Sequence, residues 1–275
     1  MPKIKIAAPA KINLTLKVGK KRDDGFHPIE STMAAINLFD YIDIETYGLN
    51  NIAACPKIEI TSNSSEIPLD NSNIAHKACE LFFKTLLQTK KVEFLLPEKI
   101  YINIEKNIPV CAGLAGGSTD ASAVLFGLNK IYKVFSEKEI NMLCAQLGSD
   151  LNFCIYGGMK LCKGRGEILE DIEFREIPIT LIKPLNLKIS AKEAYQRFDE
   201  LGDKVSNLPN DLEFALLPYY EELRYLHGFN FQMSGSGPTF FAQNAYVEPN
   251  AAKKLKNDYL IIENLKTIKN GICCI

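Results

Sequence analysis

The segment PVCAGLAGGSTDA (109–121) decides the fold. It follows KIYINIEK (99–106), whose alternating apolar residues are typical of a strand, and it precedes apolar residues at helical spacing. Its three glycines lack a Cβ atom, so the backbone can turn sharply and bring its N–H groups close to an anion. A helix that begins after Ser118 adds unpaired N–H groups and the positive end of its dipole. The segment therefore predicts a loop that binds the phosphates of a nucleotide.

This loop fits none of the common nucleotide-binding signatures. The chain contains no GxxxxGK[ST] string, no GxGxxG string and neither of the tripeptides HRD and DFG. The hydroxyls of Ser118 and Thr119 could bind phosphate or a metal ion. The plainer alternative is a glycine-rich turn in which Ser118 only caps the following helix.

The stretch from Ile4 to Val18 has apolar residues at its even positions and polar residues at most odd ones, with an interruption near Pro9. This period of two predicts a strand with one buried face. It also places Lys11 and Asn13 side by side on the opposite face.

The rest of the chain alternates between strand and helix patterns. In the first half we predict strands at 33–46 and 57–61, a helix at 72–88, and a helix from a capping box at Ser136–Glu139 to Gly148. In the second half we predict strands within 158–183, helices at 191–202 and 210–227, two strands around a glycine turn at 235–237, and a helix near 250–258. The predicted fold class is mixed α+β in two halves.

The composition limits the possible partners. The chain has 32 Lys and Arg residues, 33 Asp and Glu residues and a net charge of −1 without a basic cluster, which argues against nucleic acid and anionic membranes. No apolar run approaches the roughly 18 residues of a membrane span, and the first residues lack the pattern of a signal peptide. The eight cysteines form no CxxC pair, and the three histidines have no metal-ligand spacing. We therefore expect a cytoplasmic protein with no zinc site.

Five strings carry a family resemblance across most of the chain. They are PAKINLTLKVGKKRDDGFHPIES (9–31), GLAGGSTDASAVL (113–125), LGSDLNFCIYGG (147–158), SNLPNDLE (206–213) and MSGSGPTFF (233–241). The chain resembles the GHMP kinases, and among them the kinases of 4-diphosphocytidyl-2-C-methyl-D-erythritol. The combination of PAKIN and DGFH separates that group from its relatives.

The resemblance implies a fold and a reaction. The fold would be an ATP-binding N-terminal domain like domain 2 of ribosomal protein S5 (1–156) and a ferredoxin-like C-terminal domain (157–275), with the substrate cleft between them. The reaction would be ATP-dependent phosphorylation of the 2-hydroxyl of this substrate, in the non-mevalonate route to isoprenoid precursors. Magnesium would arrive with the nucleotide. The oligomeric state stays open between monomer and homodimer.

The same motifs imply the catalytic residues. Asp150 resembles the family's aspartate, which acts on the substrate hydroxyl as a base or as an orienting anion. Lys11 resembles the lysine that holds this aspartate and neutralises phosphoryl oxygens, and Asn13 would contact the substrate or Asp150. Read without the resemblance, Asp150 would be a helix N-cap and Lys11 a solvated strand lysine.

The resemblance also assigns the binding residues. ATP would contact Pro109, Val110, Cys111, Ala112, Gly113, Leu114, Ala115, Gly116, Gly117, Ser118 and Thr119. A structural glycine turn, Gly235, Ser236 and Gly237, would pack against that loop. Phe26, which stands where related kinases usually have Tyr, would stack on cytosine, with His27 at the pyrimidine edge and Tyr195 as a second aromatic face. The alternatives are a core aromatic for Phe26 and a turn histidine for His27.

Other functions stay open from the sequence. One is another GHMP kinase, of the mevalonate or homoserine type, and another is a nucleotide-binding regulator without catalysis. The aromatic–histidine pair of DGFH favours the cytidine substrate, and the presence of Lys11 and Asp150 favours catalysis. An RNA-binding module is disfavoured by the balanced charge.

Overall fold

The computed structural model describes residues 2–49, 54–89, 95–202, 204, 206–229, 231–243 and 258–275. The strands in these ranges are β1 (Lys3–Asn13), β2 (Lys17–Val18), β3 (Ile29–Tyr47), β4 (Lys57–Ser62), β5 (Lys99–Glu105), β6 (Met159–Gly164), β7 (Ile168–Asp171), β8 (Pro178–Pro184), β9 (Gln232–Met233), β10 (Phe240–Gln243), β11 (Tyr259–Lys266) and β12 (Cys273–Cys274). The helices are α1 (Ile74–Gln88), α2 (Gly116–Tyr132), α3 (Glu137–Leu147), α4 (Leu151–Tyr156), α5 (Ala191–Glu200), α6 (Asp211–Leu216) and α7 (Glu221–His227). None of these described helices is long and apolar enough to span a membrane.

The strands form two sheets. The larger has the order β12-β1-β3-β5-β4, with β2 and β6 also paired to β3, and β7 paired to β6. Its strands are antiparallel except for the parallel pair of β4 and β5. The smaller sheet is antiparallel, with the order β11-β8-β10-β9. The long strand β3 is therefore the central element of the larger sheet.

Helices α1 to α4 pack on one face of the larger sheet. Buried side chains from all four helices form one cluster with side chains of β1, β3, β4 and β5, including Phe82, Val124 and Ile102. Helix α2 packs tightly on the sheet at Gly127, where an added Cβ atom would lie 2.4 Å from Ile6 Cδ1. This contact fixes α2 against the sheet. The helix begins within residues 109–119, which are called the glycine loop from here on.

A register shift just after Pro9 changes which side of β1 faces the helices. Before the shift Ile6 packs in the helical core, and after it Ile12 packs against the smaller sheet. A shift of this kind sends side chains of the same parity to opposite faces. Lys11 and Asn13 are nevertheless buried, at 4% and 1% exposed. The prediction of a single buried face is therefore wrong for this half of β1, because both of its faces are covered.

Most of the other predicted elements are confirmed. The strand predicted at 33–46 is the longer β3, and the capping box of Ser136 and Glu139 begins α3 as predicted. The single helix predicted at 210–227 is wrong, because Pro218 has no N–H to donate and separates α6 from α7. The helix predicted near 250–258 lies outside the described residues except for its last position.

Both halves of the chain contribute strands to the larger sheet. Strands β6, β7 and β12 come after residue 156, and they pair with β3, β6 and β1 respectively. The smaller sheet is built only from strands after that residue. The domain boundary at residue 156 stays a prediction.

The glycine turn between β9 and β10 packs directly against the glycine loop. Gly113 has a φ of +72°, and a Cβ atom on it would lie 2.2 Å from the carbonyl oxygen of Ser234. The Ser234 hydroxyl donates to the Gly113 carbonyl at 3.0 Å and accepts the N–H of Asn13 at 3.2 Å. Three segments that are far apart in the sequence are joined at this point.

We expect Gly113→Ala to lower the free energy of unfolding by about 2–4 kcal/mol, since the change combines a strained left-handed backbone with a clash against main-chain atoms. Gly117→Ala is the matched control. Its Cβ would meet only Ile74 Cγ2, at 3.5 Å, so the free energy of unfolding should change by less than about 1 kcal/mol. Urea unfolding of both variants without nucleotide measures this difference, and equal effects would contradict the packing described here.

Candidate active site

The glycine loop presents backbone atoms rather than side chains at the start of α2. The helix begins at Gly116 and not after Ser118, so the alternative in which Ser118 is the N-cap is wrong. The preceding residue, Ala115, has a left-handed conformation with a φ of 58°, and its side chain makes no capping hydrogen bond. Gly116, Gly117 and Ser118 all line a cleft of about 590 Å³. The first turn of α2 therefore borders open space.

This cleft collects most of the residues assigned from the sequence. It is lined by Lys11, Asn13, Asp150, Tyr195, Gly235, Ser236 and all of residues 109–118 except Leu114. Leu114 and Thr119 are buried, at 1% and 0% exposed, and neither lines the cleft. Both side chains lie in the interior, and the assignment of these two residues to ATP stays a prediction.

Lys11 and Asp150 meet in the cleft. The Lys11 Nζ atom lies 3.4 Å from Asp150 Oδ2, and it donates to Asn13 Oδ1 at 2.6 Å. Lys11 is almost fully buried, so the alternative of a solvated lysine is wrong. Asp150 precedes α4 but makes no capping hydrogen bond with its side chain, which is 27% exposed. Its carboxylate is therefore available to a ligand.

The Asn13 amide is held in one orientation. Its Nδ2 group donates to Ser31 Oγ at 2.7 Å, and that hydroxyl donates to the carbonyl oxygen of Thr15 at 2.6 Å. The amide oxygen is left to accept from Lys11. This chain of hydrogen bonds directs the ammonium group of Lys11 towards the cleft.

A buried ion group holds both ends of the glycine loop. Lys106, just after β5, contacts the carboxylates of Asp40 and Asp120, the latter at 2.8 Å. The other oxygen of Asp40 accepts the backbone N–H groups of Asn107 and Ile108, at 2.6 and 2.8 Å. Asp120 lies in α2, so these contacts join β3, the end of β5 and the helix after the loop.

This ion group contains two carboxylates and one ammonium in a nearly dry environment. The three side chains are at most 5% exposed. Burial raises the pKa of Asp120 to about 8, against the opposing effect of Lys106 and with a contribution from the Asp40 carboxylate. Burial alone would lower the pKa of Lys106, but the two carboxylates raise it overall. The folded protein therefore binds a proton at Asp120 more tightly than the unfolded chain does.

The three residues assigned to cytidine line a second cavity, of about 560 Å³. The rings of His27 and Tyr195 stack with centroids 5.4 Å apart, and burial raises the pKa of Tyr195 to about 12. His27 Nδ1 donates to the Gly19 carbonyl at 2.8 Å. His27 Nε2 lies 3.0 Å from Asp199 Oδ1 but without hydrogen-bond alignment. This nitrogen is buried and has no hydrogen-bond partner among the described residues.

Phe26 stands at the rim of this second cavity. It is 49% exposed, so the alternative of a core aromatic is wrong. The guanidinium carbon of Arg165 lies 4.9 Å from the centroid of its ring. One face of Phe26 is therefore covered by a cation.

Comparison with known proteins places the chain in a family. The description "GHMP kinases N terminal domain" matches residues 73–158, which include the glycine loop and Asp150. The 4-diphosphocytidyl-2-C-methyl-D-erythritol kinase of Syntrophomonas wolfei is 38% identical over 92% of this chain and 93% of its own length. That of Clostridium tetani is 36% identical over 96% of this chain and 100% of its own length. The chain belongs to the 4-diphosphocytidyl-2-C-methyl-D-erythritol kinase family.

Solved structures agree with the fold of this kinase family. A crystal structure of 4-(cytidine 5'-diphospho)-2C-methyl-D-erythritol kinase is 25% identical, with a TM-score of 0.74 over 98% of this chain and 100% of that one. Homoserine kinase from Cytophaga hutchinsonii is 16% identical with a TM-score of 0.67, over 100% of this chain and 98% of its own, and shows the fold alone. The predicted mixed α+β architecture of the GHMP kinases, which are ATP-dependent, is confirmed.

Several residues of the site in this member of the kinase family are missed by sequence reasoning. Ser31 and Ser234 both lie inside the family strings, so they could have been predicted as polar partners of Asn13. Asp120 lies inside the string GLAGGSTDASAVL, in which no local pattern indicates its contact with Lys106. Asp40 has no local signal, because its partner Lys106 is 66 residues away in the sequence.

The raised pKa of Asp120 predicts a pH-dependent stability. The folded protein binds this proton more tightly than the unfolded chain, so the stabilisation is present below about pH 4 and is lost as the pH rises through about 8. Asp120→Asn keeps the shape and removes the titration. Between about pH 6 and about pH 9, the free energy of unfolding should fall by about 3 kcal/mol more in the wild type than in this variant.

Urea unfolding at the two pH values measures this difference. Asp171→Asn is the control, because the Asp171 side chain is 87% exposed and its replacement should leave the wild-type pH dependence intact. A wild-type pH dependence that persists in Asp120→Asn would contradict the assignment of the proton.

Proposed function

We propose that this chain transfers the γ-phosphoryl group of ATP to the 2-hydroxyl of 4-diphosphocytidyl-2-C-methyl-D-erythritol, in the non-mevalonate route to isoprenoid precursors. The observation that carries the proposal is the Lys11–Asp150 pair at 3.4 Å in a cleft bordered by the glycine loop. Membership of the kinase family supplies the identity of the substrates.

The glycine loop binds the phosphates of ATP. The unpaired backbone N–H groups at the start of α2 suit a polyphosphate anion, and Gly116 and Gly117 allow it to approach the main chain. The Lys11 ammonium lies at the same cleft and neutralises charge on the transferring phosphoryl group. Phosphoryl transfer depends mainly on such positioning and charge stabilisation.

Asp150 acts on the acceptor hydroxyl. Its carboxylate faces the cleft, and Lys11 fixes it from one side. An acceptor oxygen within hydrogen-bond reach of the carboxylate would give up its proton to Asp150, or be oriented by it, as it attacks the phosphoryl group. Asn13 lines the same cleft and orients Lys11.

The second cavity receives the cytosine. Phe26 and Tyr195 offer aromatic faces for stacking, and His27 lines the same cavity for the pyrimidine edge. Phe26 lacks the hydroxyl of the usual Tyr, so only stacking is available from this side chain. A mevalonate or homoserine acceptor would leave this cavity without an occupant, which favours the cytidine substrate over these rivals.

Magnesium fits the site as a companion of the nucleotide. No group of three or more His, Cys, Asp or Glu side chains among the described residues could hold a metal ion. Magnesium needs few protein ligands when phosphates supply the others, and Ser118 and Asp150 are two oxygen-bearing side chains that line the cleft. When bound, the ion would offset negative charge on the phosphates.

The proposal is tested by ADP release with ATP and magnesium. We expect turnover with 4-diphosphocytidyl-2-C-methyl-D-erythritol and none with mevalonate, with homoserine or without acceptor. Asp150→Asn should lower kcat by about 10²–10⁴-fold, because the hydroxyl loses its carboxylate partner. Asp171→Asn, at an exposed carboxylate that does not line the cleft, should match the wild type.

Two outcomes would count against this function. Turnover with another acceptor would keep the kinase activity and remove the role of the second cavity. Nucleotide binding without any turnover would favour the regulator and withdraw the roles of Lys11 and Asp150.

A further inference from the structure

We propose that Arg165 binds the diphosphate that joins the cytidine to the acceptor alcohol, because it stands where the cleft of the Lys11–Asp150 pair meets the cavity of Phe26 and His27. This inference rests on the proposed function and adds to it a residue that determines substrate specificity.

The two cavities share one wall. Ser149, Arg165, Ala191 and Tyr195 line both of them. A ligand with its base in the second cavity and its hydroxyl at Asp150 must pass this wall, and its diphosphate is the part between those ends. Arg165 is the charged member of the shared wall, so it is the side chain there that can offset the charge of a diphosphate.

The backbone fixes Arg165 at this position. It lies in the turn between β6 and β7, where its N–H donates to Glu167 Oε2 at 2.6 Å. The next residue, Gly166, packs on Ser149, since an added Cβ would lie 3.3 Å from the Ser149 carbonyl oxygen. The turn is therefore held against the residue that precedes Asp150.

The guanidinium group keeps donors available. Its Nη2 donates to the Ala145 carbonyl at a long 3.3 Å, and its Nε lies 3.8 Å from Glu167 Oε1. The guanidinium group also lies over the ring of Phe26 and interacts electrostatically with the Asp24 carboxylate. Five N–H donors with so few acceptors among the described residues leave a planar fork that suits phosphate oxygens.

Other cations near this wall are placed differently. Lys21 and Lys192 line only the second cavity, and Lys21 is paired with Asp199 at 2.8 Å. Lys11 and Lys106 line only the cleft, and Lys106 is held by two carboxylates. Arg165 is thus placed to link the two cavities through one ligand.

The test is calorimetric binding of cytidine, CDP and a non-hydrolysable ATP analogue to the full chain. In Arg165→Ala, we expect CDP to bind about 10- to 100-fold more weakly, since a charge-assisted hydrogen-bond partner is lost. The affinity for cytidine should fall only about two- to fivefold, because the variant loses the contact between Arg165 and the Phe26 ring. Binding of the ATP analogue should stay the same.

The ratio of the CDP and cytidine affinities separates a diphosphate contact from a merely structural role. Arg165→Lys should keep part of the preference for CDP, because the charge remains. Lys163→Ala is the matched control: it removes an exposed cation of the same hairpin that pairs with Glu170 and lines neither cavity. It should leave the ratio unchanged, and melting curves check that each variant is folded.

Three outcomes would overturn the inference. If Arg165→Ala weakens the binding of cytidine and of CDP by the same factor, Arg165 acts only through its contact with Phe26. If the substitution weakens the binding of the ATP analogue and not that of CDP, Arg165 contacts ATP and not the acceptor. If the wild type binds neither cytidine nor CDP, the cytidine site of the proposed function fails as well, whereas failure of the ratio alone leaves that function standing.

Discussion

The contact between Lys106 and the carboxylates of Asp40 and Asp120 is the constraint on which the candidate site depends. A glycine-rich loop has many conformations, and ordering it costs more conformational entropy than ordering other residues. Here both ends of the loop are fixed by the same buried ion group, and Asp40 also accepts two backbone N–H groups before the loop begins. The loop is thereby held open at the cleft without side chains that would fill it. Removing Lys106 or Asp40 would leave the buried charge of the other without compensation, which is strongly destabilising.

The catalytic pair depends on a second constraint, the register shift in β1. The shift after Pro9 leaves the alternating side chains of the strand with different neighbours along its length. Lys11 can therefore be buried beside the glycine loop, with its backbone N–H donating to the Leu114 carbonyl at 3.1 Å and its ammonium directed by Asn13. Ser234 joins the same strand to the loop from the third motif. Rigid main-chain elements, rather than a flexible loop, thus position Lys11.

The sequence predicted the parts of the site better than their arrangement. Local patterns found the strand at β5, the helix α2, the capping box of α3 and the side-by-side positions of Lys11 and Asn13, because each depends on neighbours in the chain. The resemblance supplied Asp150, His27 and Tyr195, which have no distinctive local pattern. What could not be predicted depends on pairs far apart in sequence, such as Lys106 with Asp40, or on tertiary burial, which covers both faces of β1. The predicted start of α2 after Ser118 is also wrong. The helix begins at Gly116, because Ala115 adopts a left-handed conformation that its residue type does not suggest.

The central claim is that one acceptor spans both cavities, with its base among Phe26, His27 and Tyr195 and its alcohol at Asp150. A crystal structure of the chain with 4-diphosphocytidyl-2-C-methyl-D-erythritol and a non-hydrolysable ATP analogue tests this most directly. The account predicts the cytosine in the second cavity and the 2-hydroxyl oxygen about 3 Å from an Asp150 carboxylate oxygen, facing the terminal phosphate on the glycine loop. A cytosine bound elsewhere, or an acceptor hydroxyl out of reach of Asp150, would contradict it.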